Sequence, residues 1–396
     1  MDTPGEKGRF CVLDLAEGAS GFCSKVLADL GAEVIKVAPP GGDPSRRVGP
    51  FWSDVSGPNI SLSFYYHNAG KRGITLNLKE PAGREVFGKL LSHADVVVES
   101  FPPGAMGVDF PTMQAANPRL ILASITGFGQ DGPRNSFKSC DLIASAFGGP
   151  MYLCGSPGRP PLKPPGEQSC YTASLFGAVA ILLARRRVAN TGKGCHIDLS
   201  LQEASAATLE QELARYTLER QTPSRQGSLY GDKAFAVCPC RDGHIVITPL
   251  RNWETLVEWM AADGMAGDLQ EEPWQEESYR RDHFDHILEV LHRWTRRQPV
   301  QRLFELAQLM RFPWAPVQSL NEVIRDPQLR ARNFFLEIPL SGKGPVPLPG
   351  SPYRFDGVRM ASTRRPPSVG EHNRDVYGRL GLTDQDLSDL ASRGVI

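Results

Sequence analysis

The sequence predicts an α/β protein whose larger part is a parallel, Rossmann-like sheet. Short apolar, β-rich runs alternate with helically patterned segments through the N-terminal half of the chain. Each run ends near Gly, Pro, Ser or Asn, as strand-end loops do. Near residue 225 the texture changes to a hairpin followed by helices richer in Trp and charge, and near 325 it changes back. A second, smaller domain is therefore expected at 226–325, with 1–225 before it and 326–396 after it.

The elements follow in order. Residues 10–15 (FCVLDL) read as a strand. Across 18–30, Phe22, Val26, Leu27 and Leu30 recur at helical spacing, and Gly31 suits the left-handed position after a helix end. Residues 33–37 (EVIKV) form a second strand, so 10–37 is a strand–helix–strand crossover. A strand at 73–78 (GITLNL) precedes a helix at 81–92 with Pro in its first turn. Residues 95–99 (DVVVE) and 120–126 (LILASIT) are further buried strands. Open α/β sheets bind ligands at the carboxyl ends of such strands.

Residues 155–166 (GSPGRPPLKPPG) are too rich in Pro and Gly for a helix. A long apolar helix is expected at 171–187. Its last turn would hold Arg185, Arg186 and Arg187, suiting the negative end of the helix dipole and standing as a solvated end. A strand at 195–201 and a helix from Glu203 follow. Residues 234–237 and 244–247 flank CRDG as a hairpin, and 252–310 is helical. Short strands and Pro-rich loops resume from 312, with a helix at 382–393.

Composition narrows the function. The 396 residues carry 44 basic and 44 acidic side chains, a formal charge of zero, and 41% are hydrophobic. This is the profile of a soluble globular protein, with no charge excess for gripping nucleic acid or a membrane surface. No run of 18 apolar residues offers a membrane span, and MDTPGEKGRF lacks the apolar core of a secretory signal. Eight scattered cysteines read as reduced thiols of a cytoplasmic protein, most of them packed in the core. Cys238 and Cys240 lack the partners of a zinc site, and no metal is expected. There is no GxxxxGK[ST], no GxGxxG after the first strand, no GxSxG and no HExxH.

What does stand out is an ordered series of local motifs. They include LADLGAEVIKV (27–37), GGDPSR (41–46), NAGKRGITLNLK (68–79), ADVVVESFPPGAM (94–106) and ITGFGQDGP (125–133). CDLIASAFGG (140–149), NTGKGCHIDLSLQEA (190–204), APV (315–317), RDPQLRARNFF (325–335) and PPSVGEHNRDVYGRLGL (366–382) continue the series. In this set and this order the chain resembles the class III CoA-transferases, the group of formyl-CoA transferase, carnitine CoA-transferase and the α-methylacyl-CoA racemases.

The resemblance implies a Rossmann-like large domain made from the N-terminal half and the C-terminal segment, a smaller α+β domain inserted between, and two chains interlocked as a dimer. It also implies acyl-CoA and an organic acid as substrates. A carboxylate attacks the thioester to give a mixed anhydride, and CoA returns to form an enzyme-bound thioester. Oxyanions must be stabilised and water kept out.

Relatives carry the nucleophilic Asp in a Gly-Asp pair before the long apolar helix, and here the pair reads Gly166-Glu167. Glu167 keeps the functional group but extends it by one methylene, about 1.5 Å, where a misplacement of about 1 Å can cost roughly 10²-fold in rate. Its other expected role is a helix-terminal carboxylate. The His that racemases need is replaced by Cys140, a poor acid–base group at neutral pH and expected to be a packed thiol, so a racemase is disfavoured.

For CoA, the resemblance implies contacts from Gly18, Ala19 and Ser20, from Leu76 and Lys79, from Ser100 and Phe101, and from Lys138 and Cys140. Two basic positions of formyl-CoA transferase read Pro39 and Val108, leaving Arg46 and Arg72 as basic candidates. Phe235, Trp253 and Trp314 either hint at an apolar or aromatic acid or belong to the core. Two readings follow. The chain is a CoA-transferase using Glu167, or it is a non-catalytic CoA-binding or structural subunit beside an Asp-bearing homologue. Some members, succinyl-CoA:benzylsuccinate CoA-transferase among them, are heteromers of that kind.

Overall fold

The computed structural model describes residues 10–52, 60–340 and 344–396. The expectation for the first ten residues lies almost wholly outside them. Two compact units emerge. The first holds the chain up to Met151, residues 163–222 and those from Gln328 onward, and the second holds 152–162 and 223–327. The stretch 152–162, read from the sequence as part of the first domain, thus clusters with the second unit.

Six parallel strands organise the first unit among the described residues. They are β1 (Cys11–Asp14), β2 (Glu33–Ala38), β3 (Arg72–Thr75), β4 (Val96–Glu99), β5 (Ile121–Thr126) and β6 (Cys195–Ser200), in the order β3-β2-β1-β4-β5-β6. Alternate residues of a strand face opposite sides. Val96 and Val98 therefore join one core with Val12, Ile121 and Ala123, while Val97 joins the other with Leu13, Ile74 and Leu122. Both faces are covered, which is why these strands read as continuous apolar runs.

The helices of this unit that bear on the site are α1 (Phe22–Asp29), α2 (Leu62–Asn68), α3 (Pro81–Leu91), α4 (Phe110–Ala116), α5 (Asp141–Gly148) and α6 (Gln168–Thr191). Residues 18–21 form a 3-10 turn, not the start of α1, because Gly18 sits at φ +57°. Helix α6 is longer than the sequence implied. Arginine is a good helix former, so the helix passes through Arg185–187 and stops only at left-handed Gly192. The three arginines are therefore not in its last turn, and Arg185 lies over the Phe10 ring at 4.2 Å. Gly177 lets α6 come close, since a Cβ there would meet Cys23 Sγ and Leu199 Cδ1 at 3.1 Å.

The edge strand β3 is covered by the C-terminal segment. Gly73 N donates to His372 Nδ1 (3.1 Å), Thr75 N to Asn373 Oδ1 (2.9 Å), and Tyr377 OH to Thr75 O (2.6 Å). Asn77 N donates to Val395 O at 2.8 Å.

In the second unit, strands β7 (Leu229–Tyr230), β8 (Phe235–Pro239), β9 (His244–Ile247) and β10 (Ala315–Pro316) form an antiparallel sheet in the order β10-β9-β8-β7. Helices Trp253–Ala262, Phe284–Thr295 and Val300–Leu309 help build its core. Trp253 and Trp314 are buried there, and Trp314 Nε1 donates to Thr248 Oγ1 (3.1 Å). These two rings are core, whereas Phe235 is partly exposed.

All eight thiols are free, but only Cys23, Cys170 and Cys238 are buried. Cys140, expected to be packed, is exposed because it precedes the first turn of α5. Among the described residues no helix is long and apolar enough to cross a membrane, and no group of three or more His, Cys, Asp or Glu could hold a metal ion.

Candidate functional site

The strand order reverses between β1 and β4, and their carboxyl ends diverge there to leave a crevice. A cavity of about 300 Å³ occupies this position. Leu76, Lys79 and Phe101 line it, as does Pro39. Lys79 is the one basic side chain among the described residues of its lining. The loop after β1 forms its floor and is tied across the reversal by Glu17 N donating to Ser100 Oγ (2.9 Å).

That loop stands on buried charges which the sequence reading passed over. Lys71 and Asp14 pair at 2.7 Å with both side chains fully buried. Lys71 Nζ also donates to Gly21 O (3.0 Å) and Asn68 Oδ1 (3.1 Å). Lys36 pairs with Asp43 at 2.7 Å and donates to Ala16 O. Asp14 Oδ1 accepts from Ala16 N at 3.0 Å. Burial would raise the Asp14 carboxyl, but Lys36 and Lys71 outweigh it and hold it below the usual carboxylate range. Two ammonium groups thus grip the carbonyls at both ends of the 16–21 loop. The signal was available: a charged residue inside an apolar strand, Lys36 in EVIKV and Asp14 in FCVLDL, needs a buried partner.

The second part of the site is the start of α6. Gly166 takes φ +75°, and Glu167 then occupies the N-cap position with no capping hydrogen bond from its side chain. Asp141, from the first turn of α5, takes over that duty by accepting from Cys170 N at 3.1 Å. Lys163 pairs with Asp141 at 2.8 Å and donates to Gly166 O, fixing the turn. The Glu167 carboxylate is left exposed and uncommitted. Partial desolvation and the neighbouring Asp141 raise its pKa from the ordinary 4.5, with Lys163 offsetting part of the effect. Glu167 thus stands at the helix terminus as a helix-terminal carboxylate would, but its side chain makes no capping hydrogen bond.

The same end of α6 touches the crevice loop. Ser174 Oγ donates to Ala19 O and Ser20 O, each at 3.4 Å. Tyr171 OH meets His67 Nε2 at 3.2 Å, and its ring packs edge-on against Phe22. Glu167, Tyr171 and Ser174 fall on one helical face, with about two turns between Glu167 and the contact that Ser174 makes with Ala19 and Ser20.

Of the expected residues only Leu76, Lys79 and Phe101 line the crevice; Gly18, Ala19, Ser20, Ser100 and Glu167 lie outside its lining, as do Arg46, Arg72, Lys138 and Cys140. The Arg46 guanidinium stacks over Phe64 at 3.9 Å and donates to Pro367 O at 2.5 Å. Arg72 is buried in ion pairs with Glu33 (3.2 Å) and Asp375, holding the edge strand to the C-terminal segment. Lys138 and Cys140 are exposed in the loop before α5. Val108 lines a second, larger cavity that shares Phe101 and Met106 with the crevice.

Known proteins resemble this chain over nearly its whole length. The sequence pattern of CoA-transferase family III matches residues 10–373. Succinyl-CoA:(R)-benzylsuccinate CoA-transferase subunit BbsE of Thauera aromatica is 32% identical over 401 residues, 98% of this chain and 97% of its own length. Succinyl-CoA:mesaconate CoA-transferase of Haloarcula hispanica is 33% identical over 94% of this chain and 95% of its own. A solved CAIB/BAIF family protein from Brucella suis matches with a TM-score of 0.86 at 30% identity, covering 94% of this chain and 98% of that one.

Proposed function

The chain belongs to CoA-transferase family III, and from that premise we propose that it moves CoA from an acyl-CoA to an organic acid through the carboxylate of Glu167. The observation that carries this reading is the uncommitted Glu167 carboxylate at the start of the helix whose Ser174 meets the crevice loop, with Asp141 serving the helix terminus. One Glu167 oxygen attacks the thioester carbonyl carbon. The tetrahedral oxyanion collapses, the C–S bond breaks, and a mixed anhydride and CoA thiolate result. The thiolate then attacks the glutamyl carbonyl carbon and expels the donor acid as its carboxylate. The acceptor carboxylate repeats the two steps in reverse and leaves as the new acyl-CoA.

In this reading the nucleotide end of CoA enters the crevice against Leu76, Lys79 and Phe101. The Gly18-Ala19-Ser20 turn and Ser100, held together through Glu17 N and Ser100 Oγ, are taken to meet CoA between the crevice and Glu167. Lys138 stands as an outlying phosphate partner, with Cys140 beside it. Arg46 and Arg72 support the surrounding fold through the contacts described above.

The test is covalent trapping. The purified chain is incubated with acyl-CoAs, succinyl-CoA included, treated with hydroxylamine or borohydride, and weighed. A hydroxamate or alcohol at Glu167, absent from Glu167→Gln, is the expected result. No adduct in a protein that still binds CoA would overturn it.

The pH dependence follows from the same carboxylate. Its raised pKa means that the attacking anion is lost as pH falls through a midpoint above 4.5. Lys163→Met removes the offsetting cation, so the acid limb of the pH–rate profile is expected to move upward. An unmoved limb would detach Glu167 from the rate.

A second reading has its own support, because one relative at 32% identity is named a subunit. Here the chain is a CoA-binding subunit interlocked with a homologous, Asp-bearing chain. Both readings require a partner chain, a second copy or that homologue. Leu175, Phe176, Val179, Leu182 and Leu183 of α6 are exposed, an apolar stripe too large to leave in water. Leu183→Arg places a charge on the stripe at its most exposed member, 65% accessible. It is expected to shift the assembly to single chains by light scattering, with secondary structure unchanged.

A further inference from the structure

The larger cavity, set against one face of β4–β6, has no part in the mechanism above. It measures about 750 Å³, within the range of pockets that hold drug-sized molecules. One wall is a face of α3, where Arg84, Phe87, Gly88 and Leu91 fall at helical spacing. The opposite wall is the loop through Val108 and the first turn of α4 at Phe110.

The floor is polar and deeply set. Glu99 is 4% exposed and Ser124 1%. Ser124 Oγ lies 2.9 Å from His196 Nε2, and Glu99 Oε2 accepts from Phe101 N at 2.6 Å. Burial raises the Glu99 carboxyl above its usual range, Asp198 adds to this, and hydrogen bonds from Ser124 and Phe101 N offset part of it. Gln130 lines the same cavity, and its buried Nε2 has no hydrogen-bond partner. A buried donor without an acceptor calls for an explanation.

We propose that this cavity binds a neutral aromatic molecule carrying a primary carboxamide. The carboxamide oxygen accepts from Gln130 Nε2, and its N–H groups donate to the Glu99 carboxyl. Glu99 and Asp109 line the cavity against one cation, Arg84, whose guanidinium is engaged with the carbonyls of Leu78 and Lys79, so an anion is turned away, and a cation loses its hydration among apolar walls. The ring fills the space between Phe87, Val108, Phe110 and Leu122. Phe101 and Met106 wall both cavities, so the occupant touches the side chains that border the crevice.

The test uses the full chain, with 2-naphthamide as probe and 2-naphthoate as its anionic counterpart, titrated by calorimetry. The naphthamide is expected to bind at least about tenfold more tightly than the naphthoate, and Gln130→Leu to remove about tenfold of its affinity. Gly88 gives an independent check. It lies inside α3, and a Cβ there meets no atom within 4 Å, so a side chain grows into open space and strengthens the helix. Gly88→Phe is expected to abolish probe binding while CoA still binds, and Gly88→Met serves where the Phe variant does not fold.

Saturating CoA is expected to change the probe's Kd by a finite factor that levels off, as for two coupled sites. Equal binding of naphthoate, or undiminished binding to the Gly88 variants, overturns the assignment. So does displacement by CoA that grows without limit, which makes the cavity part of the crevice. Every arm reads binding, so the result stands apart from whether Glu167 proves to be a nucleophile.

Discussion

Glu167→Gln is expected to lower CoA transfer by about 10⁴-fold or more while leaving the fold and CoA binding intact. The amide has nearly the same shape but cannot attack a thioester, and loss of a covalent nucleophile carries costs of about this order or larger. The fold should be indifferent. Glu167 makes no capping hydrogen bond, Asp141 already serves the helix terminus, and surface changes away from such features usually stay within about 0.5 kcal/mol. Steady-state rates, with CoA affinity and thermal unfolding alongside, separate chemistry from structure. Glu167→Asp is the sharper instrument. It withdraws the carboxylate by about 1.5 Å, and if the surroundings fit glutamate, turnover drops by roughly 10²-fold. An Asp variant faster than the parent would mean that the pocket keeps the spacing of an Asp-bearing site. An inactive parent that still binds CoA would favour the subunit reading.

Lys71→Met carries the largest expected effect on stability. The change leaves Asp14 buried without its 2.7 Å partner and releases the carbonyl of Gly21 and the side chain of Asn68. Breaking one side of a buried ion pair typically costs about 3–5 kcal/mol. The denaturant midpoint is expected to fall accordingly. CoA affinity should fall with it, since the 16–21 loop loses one of its two ammonium anchors. Asp14→Asn combined with Lys71→Met removes both charges and should recover part of the loss, giving a coupling measurable by a double-mutant cycle. The sign with pH is fixed by Asp14. Its carboxyl is held below the ordinary 3.8, so its contribution is present above that value and is lost as pH falls through the lower folded-state pKa. A Lys71→Met variant as stable as the parent would remove the network from any role in the site.

The parallel core was legible because buried strands show themselves. The runs CVLD, EVIKVA, VVVE and ILASIT need no partner in view to be recognised. The two-residue strands Phe51–Trp52 and Ile60–Ser61 were not, since a pairing that short has no period to read. The end of α6 was misplaced because an arginine run at the edge of an apolar stretch looks like a terminus, while the stop depends on the φ of Gly192. Glu167 was reached through resemblance alone. That its carboxylate is free rests on Asp141, 26 residues away, and no local pattern encodes that. The cavity beneath Gln130 was invisible for the same reason, since Gly88, Glu99, Ser124 and His196 meet only in three dimensions.

The covering of β3 has a consequence for how the protein is made. Asn373, which closes the backbone of Thr75, lies 298 residues further along the chain. At roughly 5–20 residues per second, a ribosome needs about 15–60 s to supply it. For that interval the nascent sheet presents an unpaired margin, the kind of edge that templates association with other chains. Chaperone demand during synthesis should therefore peak late, and ribosomes stalled before residue 372 should carry chains far more prone to aggregate than those released after Val395.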